Sequence, residues 1–121
     1  MQTVYENGDF EIKQGNSGKF VATNIPTDKN YTAIFSVCNE DGVFIDDMSV
    51  ESNYYDYVEF ILDPDFTEKW IVPRGEESAT YFFDVTLVFG VNQYKDTLVF
   101  EGKTKTDKNV ITVLSNRPER T

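Results

Sequence analysis

The sequence predicts an all-β fold, an immunoglobulin-like antiparallel β-sandwich of seven or eight strands with one short helical turn. Three observations carry this expectation. Apolar and polar residues alternate along Ser78–Gly102, SATYFFDVTLVFGVNQYKDTLVFEG, in two runs broken by Gly90 and Asn92. Alternation of that length around a turn is a hairpin signature. Turn residues recur roughly every eight to twelve positions elsewhere, the spacing of a sandwich or barrel. No stretch carries the periodicity of a helix large enough to hold a cofactor. At 121 residues the chain makes one domain, 1–121, with flexible ends expected at about 1–8 and 115–121.

The elements follow in order. Phe10 and Ile12 open a short strand, FEIK, which Gln14-Gly15-Asn16 breaks. Lys19–Thr23 is a second strand, and Asn24–Asn30, with Pro26, a loop. Tyr31–Cys38 puts Tyr31, Ala33, Phe35 and Val37 on one face, and Ile34 and Cys38 on the other. Asn39-Glu40-Asp41-Gly42 is turn chemistry, since Asn and Asp bond their own backbone and Gly permits positive φ. Val43–Val50 returns as the next strand. After the polar connection Glu51–Tyr55, Tyr57–Leu62 is another. Asp63-Pro64 reads as a helix N-cap followed by proline at the first helical position. Phe66 and Trp70 would then share one side of a short helix and cover the end of the sandwich. Pro73-Arg74-Gly75 stops that segment, the long hairpin follows, and Asn109–Leu114 is the last strand.

Composition excludes several functions. The net charge is −10, from 21 acidic and 11 basic residues. Nucleic-acid backbones and anionic membranes both need clustered Lys and Arg, so neither is an expected partner. The acidity suits solubility, or, in a sharper reading, a decoy that occupies a basic nucleic-acid-binding cleft. Cys38 is the single cysteine, and there is no histidine. An intrachain disulfide and a Cys–His dyad are therefore both impossible. MQTVYENGDF lacks the basic and apolar regions of a secretion signal, and no run approaches a membrane span.

No catalytic, cofactor or metal residues are assigned. Adjacent strand residues such as Asp46 and Asp47 point to opposite faces and cannot share an acid–base site. Asn39, Glu40, Asp41, Asp46 and Asp47 crowd one hairpin without the spacing of a helix–loop–helix calcium motif, and read as a turn plus a solvated face. Zinc would need Cys or His ligands. Asp84 and Asp96 stand inside otherwise apolar strands, facing solvent, an edge or a partner subunit. Tyr54, Tyr55 and Tyr57 cluster in and beside a polar connection. Phe82 and Val88 oppose the stripe of Tyr81, Phe83, Val85, Leu87 and Phe89. Surplus apolar residues on a second face suggest protein–protein contact. Tyr54, Tyr55, Tyr57, Phe82, Asp84 and Val88 are therefore the candidate assembly contacts. A carbohydrate-binding module using Tyr54, Tyr55, Tyr57 or Trp70 is a further reading.

The order of segments also resembles a phage family: the N-terminal β-sandwich domains of baseplate upper proteins and related small virion proteins. FEIKQGNSGKF resembles its strand, Gln-Gly-Asp/Asn, strand opening. YTAIFSVCNEDGVFI, VEFILDPDFTEKW, ATYFFDVTLVFG and DTLVFEGKTKTDKNVITV resemble its central hairpin, helical turn, Tyr-x-(Tyr/Phe)-Asp strand and closing strands. The likeness spans roughly residues 9 to 114; Ser78-Ala79-Thr80-Tyr81 stands where the family usually has Gly-x-Tyr. It implies a non-enzymatic virion structural or adaptor protein of tail, baseplate, neck or capsid surface, without cofactor. Such a protein is made in the bacterial cytoplasm, and its partners are itself, as a homo-oligomer, and other virion proteins.

Overall fold

The computed structural model describes residues 2–25, 27–51, 55–89 and 108–116, and the backbone of 94–97. Among them run β1 (Gln2–Val4), β2 (Phe10–Lys13), β3 (Gly18–Thr23), β4 (Tyr31–Asn39), β5 (Phe44–Glu51) and β6 (Tyr57–Leu62). A helical turn, α1 (Pro64–Thr67), precedes β7 (Ser78–Phe89), β8 (Tyr94–Thr97) and β9 (Asn109–Leu114). The fold is an all-β sandwich. One sheet has the order β1-β2-β9-β7-β4-β5, with β8 also paired to β7, and faces a two-stranded sheet of β3 and β6.

The long strand β7 organises the large sheet. One of its edges pairs with β4 from Tyr81 to Phe89. The other edge is shared, Ser78–Phe83 pairing with β9 and Thr86–Phe89 with β8. Tyr81, Phe83, Val85 and Leu87 are buried, whereas Phe82, Asp84, Thr86 and Val88 are half-exposed on the opposite face. Phe89, expected in the core, only borders it. The hairpin turn at Gly90 and Asn92, and Leu98 and Phe100, lie outside the described residues.

Aromatic rings let so small a second sheet close the core. Phe83 stacks on Phe35 at 4.8 Å and meets Phe20 of β3 edge-on at 4.9 Å. Phe10 lies 5.4 Å from Phe83, and Phe60 of β6 lies 5.5 Å from Phe35. Each such pair adds about 0.5–1.5 kcal/mol beyond the area it buries.

The helical turn forms where the sequence places it. Asp63 caps it, its side chain accepting from Phe66 N at 2.9 Å. Phe66 and Trp70 are buried and meet edge-to-face at 5.6 Å. The Gln14 amide fixes the exit of this segment, donating to Glu68 O at 3.0 Å and accepting from Val72 N at 3.4 Å. Thr67 Oγ1 donates to Asn16 O at 2.8 Å. The β2–β3 turn thus holds the plug at the end of the sandwich.

Two expectations are corrected. The expected seven or eight strands become nine among the described residues, the first of them β1, which pairs with β2. The Gln2 amide donates to Lys19 O and accepts from Lys19 N, both at 2.8 Å. Those are the bonds a neighbouring strand would supply, so part of the open edge of β3 is satisfied. Gly18 makes room, because a Cβ there would lie 2.6 Å from Gln2 Oε1. At the other end Ser115 N donates to Glu77 O at 2.8 Å, which holds the chain just past β9.

The second correction concerns strand direction. β2 and β9 run parallel, so the large sheet is mixed and not wholly antiparallel. Asp9 pins that seam: its Oδ1 accepts from Val110 N at 2.9 Å and from the buried Asn109 Nδ2 at 3.0 Å. Asn109 Nδ2 also donates to Asn7 O at 2.6 Å. This polar knot ties the first strands to the last.

Candidate functional site

Strand register decides which exposed side chains meet. On the outer face of the large sheet Phe82 is level with Val110 on β9 and with Cys38 on β4. Cys38 is level with Phe44 on β5. Val110, Phe82, Cys38 and Phe44 therefore form one apolar row across four adjacent strands. The first three are half-exposed, and Phe44 is 59% exposed. A register shift after Val37 produces the last member of the row. It sets Asp46 level with Val37 and Phe44 level with Cys38, while Ile45 packs against the core. An extra residue in one strand re-aims its neighbours in this way.

Acidic groups flank the row. The next row on one side is Asp84–Ser36–Asp47. Asp84 sits on β7 where its neighbour changes from β9 to β8, and Lys108 Nζ approaches it at 3.5 Å. That position explains a carboxylate inside an apolar strand: it faces outward and meets the residue that leads into β9. On the other side lies the β4–β5 turn, with Glu40 and Asp41 exposed. Asn39 Oδ1 accepts from Asp41 N at 2.9 Å and from Val43 N at 3.0 Å. That side chain is therefore used in holding the turn. Asp46 and Asp47 diverge as expected. Asp46 pairs with Lys69 at 2.5 Å, and the ammonium holds its carboxyl below the ordinary 3.8.

The row runs into a groove of about 570 Å³. Val110 belongs to both, and Tyr5, Glu6, Asp9, Glu11 and Thr112 also line the groove. Tyr5 Oη donates to Glu11 Oε2 at 2.9 Å, and this bond to a carboxylate raises the phenol above its ordinary 10.0. An apolar row and an acidic groove are thus continuous on one surface. The arrangement can seat apolar side chains beside a cationic one.

The predicted contacts do not form one site. Phe82, Asp84 and Val88 share the outer face of the large sheet, but only Phe82 belongs to the apolar row. Val88 lies six residues along β7, about 20 Å away at the rise of a strand. Tyr57 projects from β6 on the outer side of the small sheet, so the sandwich stands between it and Phe82. Tyr55 stacks on Tyr57 at 5.7 Å. Tyr54 and the side chain of Asp96 lie outside the described residues. Trp70 is fully buried and cannot serve a carbohydrate platform.

Phe44, Val110 and the groove residues were not singled out from the sequence, and Cys38 was noted as the single cysteine, not as a contact. Alternation does put Cys38 on the outer face of its strand. The alignment of four strands into one row depends on pairing order and on a register shift, which no local pattern reveals.

The fold and this surface define an all-β sandwich with an apolar row and an acidic groove on its larger sheet. No protein-family model and no curated protein matches the chain.

Proposed function

We propose that this protein is a non-enzymatic assembly module that docks a protein partner on the outer face of its large sheet. The observation that carries this reading is the row Val110–Phe82–Cys38–Phe44, apolar side chains of four strands aligned on a solvent-facing surface. Sheet faces turned to water ordinarily alternate to polar residues, and contiguous apolar surface marks interaction sites. The setting we propose is a phage or prophage particle, which rests on the resemblance of residues 9 to 114 to small virion sandwich proteins. In that setting the chain is a structural or adaptor component, made in the bacterial cytoplasm and used through assembly.

The test is photo-crosslinking in the cells that make the protein. A photo-reactive amino acid replaces Phe44 in one variant and Ile61, exposed on the small sheet, in another. The expected result is a discrete adduct from position 44, identified by mass spectrometry as a structural protein of a particle, and a different or empty pattern from position 61. No adduct at 44, or the same diffuse adducts at both positions, overturns the reading.

A further inference from the structure

We infer that the occupant of this face is a different, basic protein and not a second copy of this chain; the inference rests on the assembly reading above. The argument is charge complementarity. Glu40 and Asp41 lie at one side of the apolar row, and Asp84 and Asp47 form the row at its other side. Glu6, Asp9 and Glu11 line the groove into which it leads. Lys108 and Asp84 offset each other at 3.5 Å, so Asp47, Glu40, Asp41 and the groove carboxylates carry the charge of this face.

A two-fold contact between identical chains lays a patch on itself. Here it would bring carboxylate rows against their own copies, on chains each carrying −10. Like charges across an interface disfavour the pairing and slow the encounter. A partner with Lys or Arg around an apolar anchor reverses both effects. Its apolar side chain rests on Phe82 and Val110. Its cationic side chain enters the groove beside Glu6 and Glu11, with the Tyr5 ring at the wall. Both Asp9 oxygens are engaged, by Val110 N and Asn109 on one and Asn7 on the other, whereas Glu11 accepts from the Tyr5 hydroxyl on Oε2, so Glu6 and Glu11 are the groups that meet the cation.

The test begins with sedimentation equilibrium of the pure chain in 50 mM salt, where a monomer is expected. The partner captured through position 44 is then purified and its affinity measured. We expect about a tenfold loss of affinity between roughly 50 and 300 mM salt. We also expect a loss of about tenfold or more in the double variant Glu6→Lys, Glu11→Lys. Asp28→Lys with Asp65→Lys, the same charge change at exposed residues outside the groove lining, should cost less than about twofold. Glu11→Gln, which keeps an acceptor for Tyr5, guards against misfolding of the lysine variant and should still weaken binding. A discrete homodimer broken by Phe82→Asp overturns the inference and leaves the assembly reading standing. So does a captured partner whose affinity ignores both salt and charge reversal. If nothing is captured at position 44, both fall.

Discussion

Replacing Phe82 and Phe83 one at a time with alanine should give very different losses of stability, although the two are neighbours on β7. Phe83 is 1% exposed, with the rings of Phe10, Phe20 and Phe35 at 5.4, 4.9 and 4.8 Å. Truncation leaves a cavity between both sheets, and Phe→Ala in a packed core costs about 3–5 kcal/mol. That is a third or more of the stability of many domains of this size. Phe82 meets Val110 and Cys38 on the half-exposed face. Each cross-strand pair is worth about 0.2–1 kcal/mol, so Phe82→Ala should cost no more than about 2 kcal/mol. Phe82→Asp should also fold, since Asp84 already occupies that face. Urea unfolding reads the difference, followed by the fluorescence of Trp70, the single tryptophan and fully buried. Equal losses for the two alanine variants, or an unfolded Phe82→Asp chain, would refute the assignment of Phe82 to a docking face.

Gly18→Val should lower stability by about 1–3 kcal/mol through overlap with the Gln2 side chain and with the buried Ile12 Cδ1, 2.9 Å from a Cβ at this position, more than Gln2→Ala does in the same urea assay. Gln14→Ala removes the links to Glu68 O and Val72 N; a loss of about 1–2 kcal/mol is expected, with faster hydrogen exchange around α1. Tyr81 Oη donates to Ile71 O at 2.6 Å, and burial raises this phenol above 10.0. A raised folded value means its contribution is full below the ordinary value and is lost as pH climbs past it. Tyr81→Phe should therefore cost about 1 kcal/mol at neutral pH and flatten the alkaline fall in thermal midpoint. The depressed Asp46 carboxyl works in the opposite sense, its contribution being present above 3.8 and lost as pH falls below it. Asp46→Asn should flatten the acid limb measured by thermal melts between neutral pH and pH ~3.

The facing of β7 and β4 was legible because both strands are long and lie inside the sheet, where a period of two survives over many residues. The helical turn was legible because Asp63-Pro64 is itself a physical start signal, and the capping bond to Phe66 N realises it. β1 was not legible. QTV is too short and too polar to announce a strand, and its docking depends on a glycine sixteen positions away in sequence. The parallel seam was hidden for a similar reason, since Asp9 and Asn109 make it from opposite ends of the chain. The candidate site was half-legible. Alternation identified Phe82 as outward, but spacing alone could not tell that Tyr57 belongs to the other sheet, with Tyr55 stacked on it.

The charge of the chain and its apolar row are best understood together. An exposed row of this kind on a neutral protein would promote contact between copies, most of all at the high local concentration of an assembling particle. A net charge of −10 opposes that contact at every approach, and the carboxylates flanking the row concentrate the repulsion where it matters. The same charges attract a cationic surface of matching shape. Under the docking proposal, the acidity that favours solubility also sets specificity, by holding identical chains apart until the intended partner arrives. Raising the salt should then do two opposite things to the native chain: weaken binding of the basic partner and permit weak self-association through the row. Phe82→Asp should abolish the self-association. If high salt leaves the chain monodisperse while the partner still dissociates, the carboxylates act on the partner alone and the row is not adhesive enough to need them.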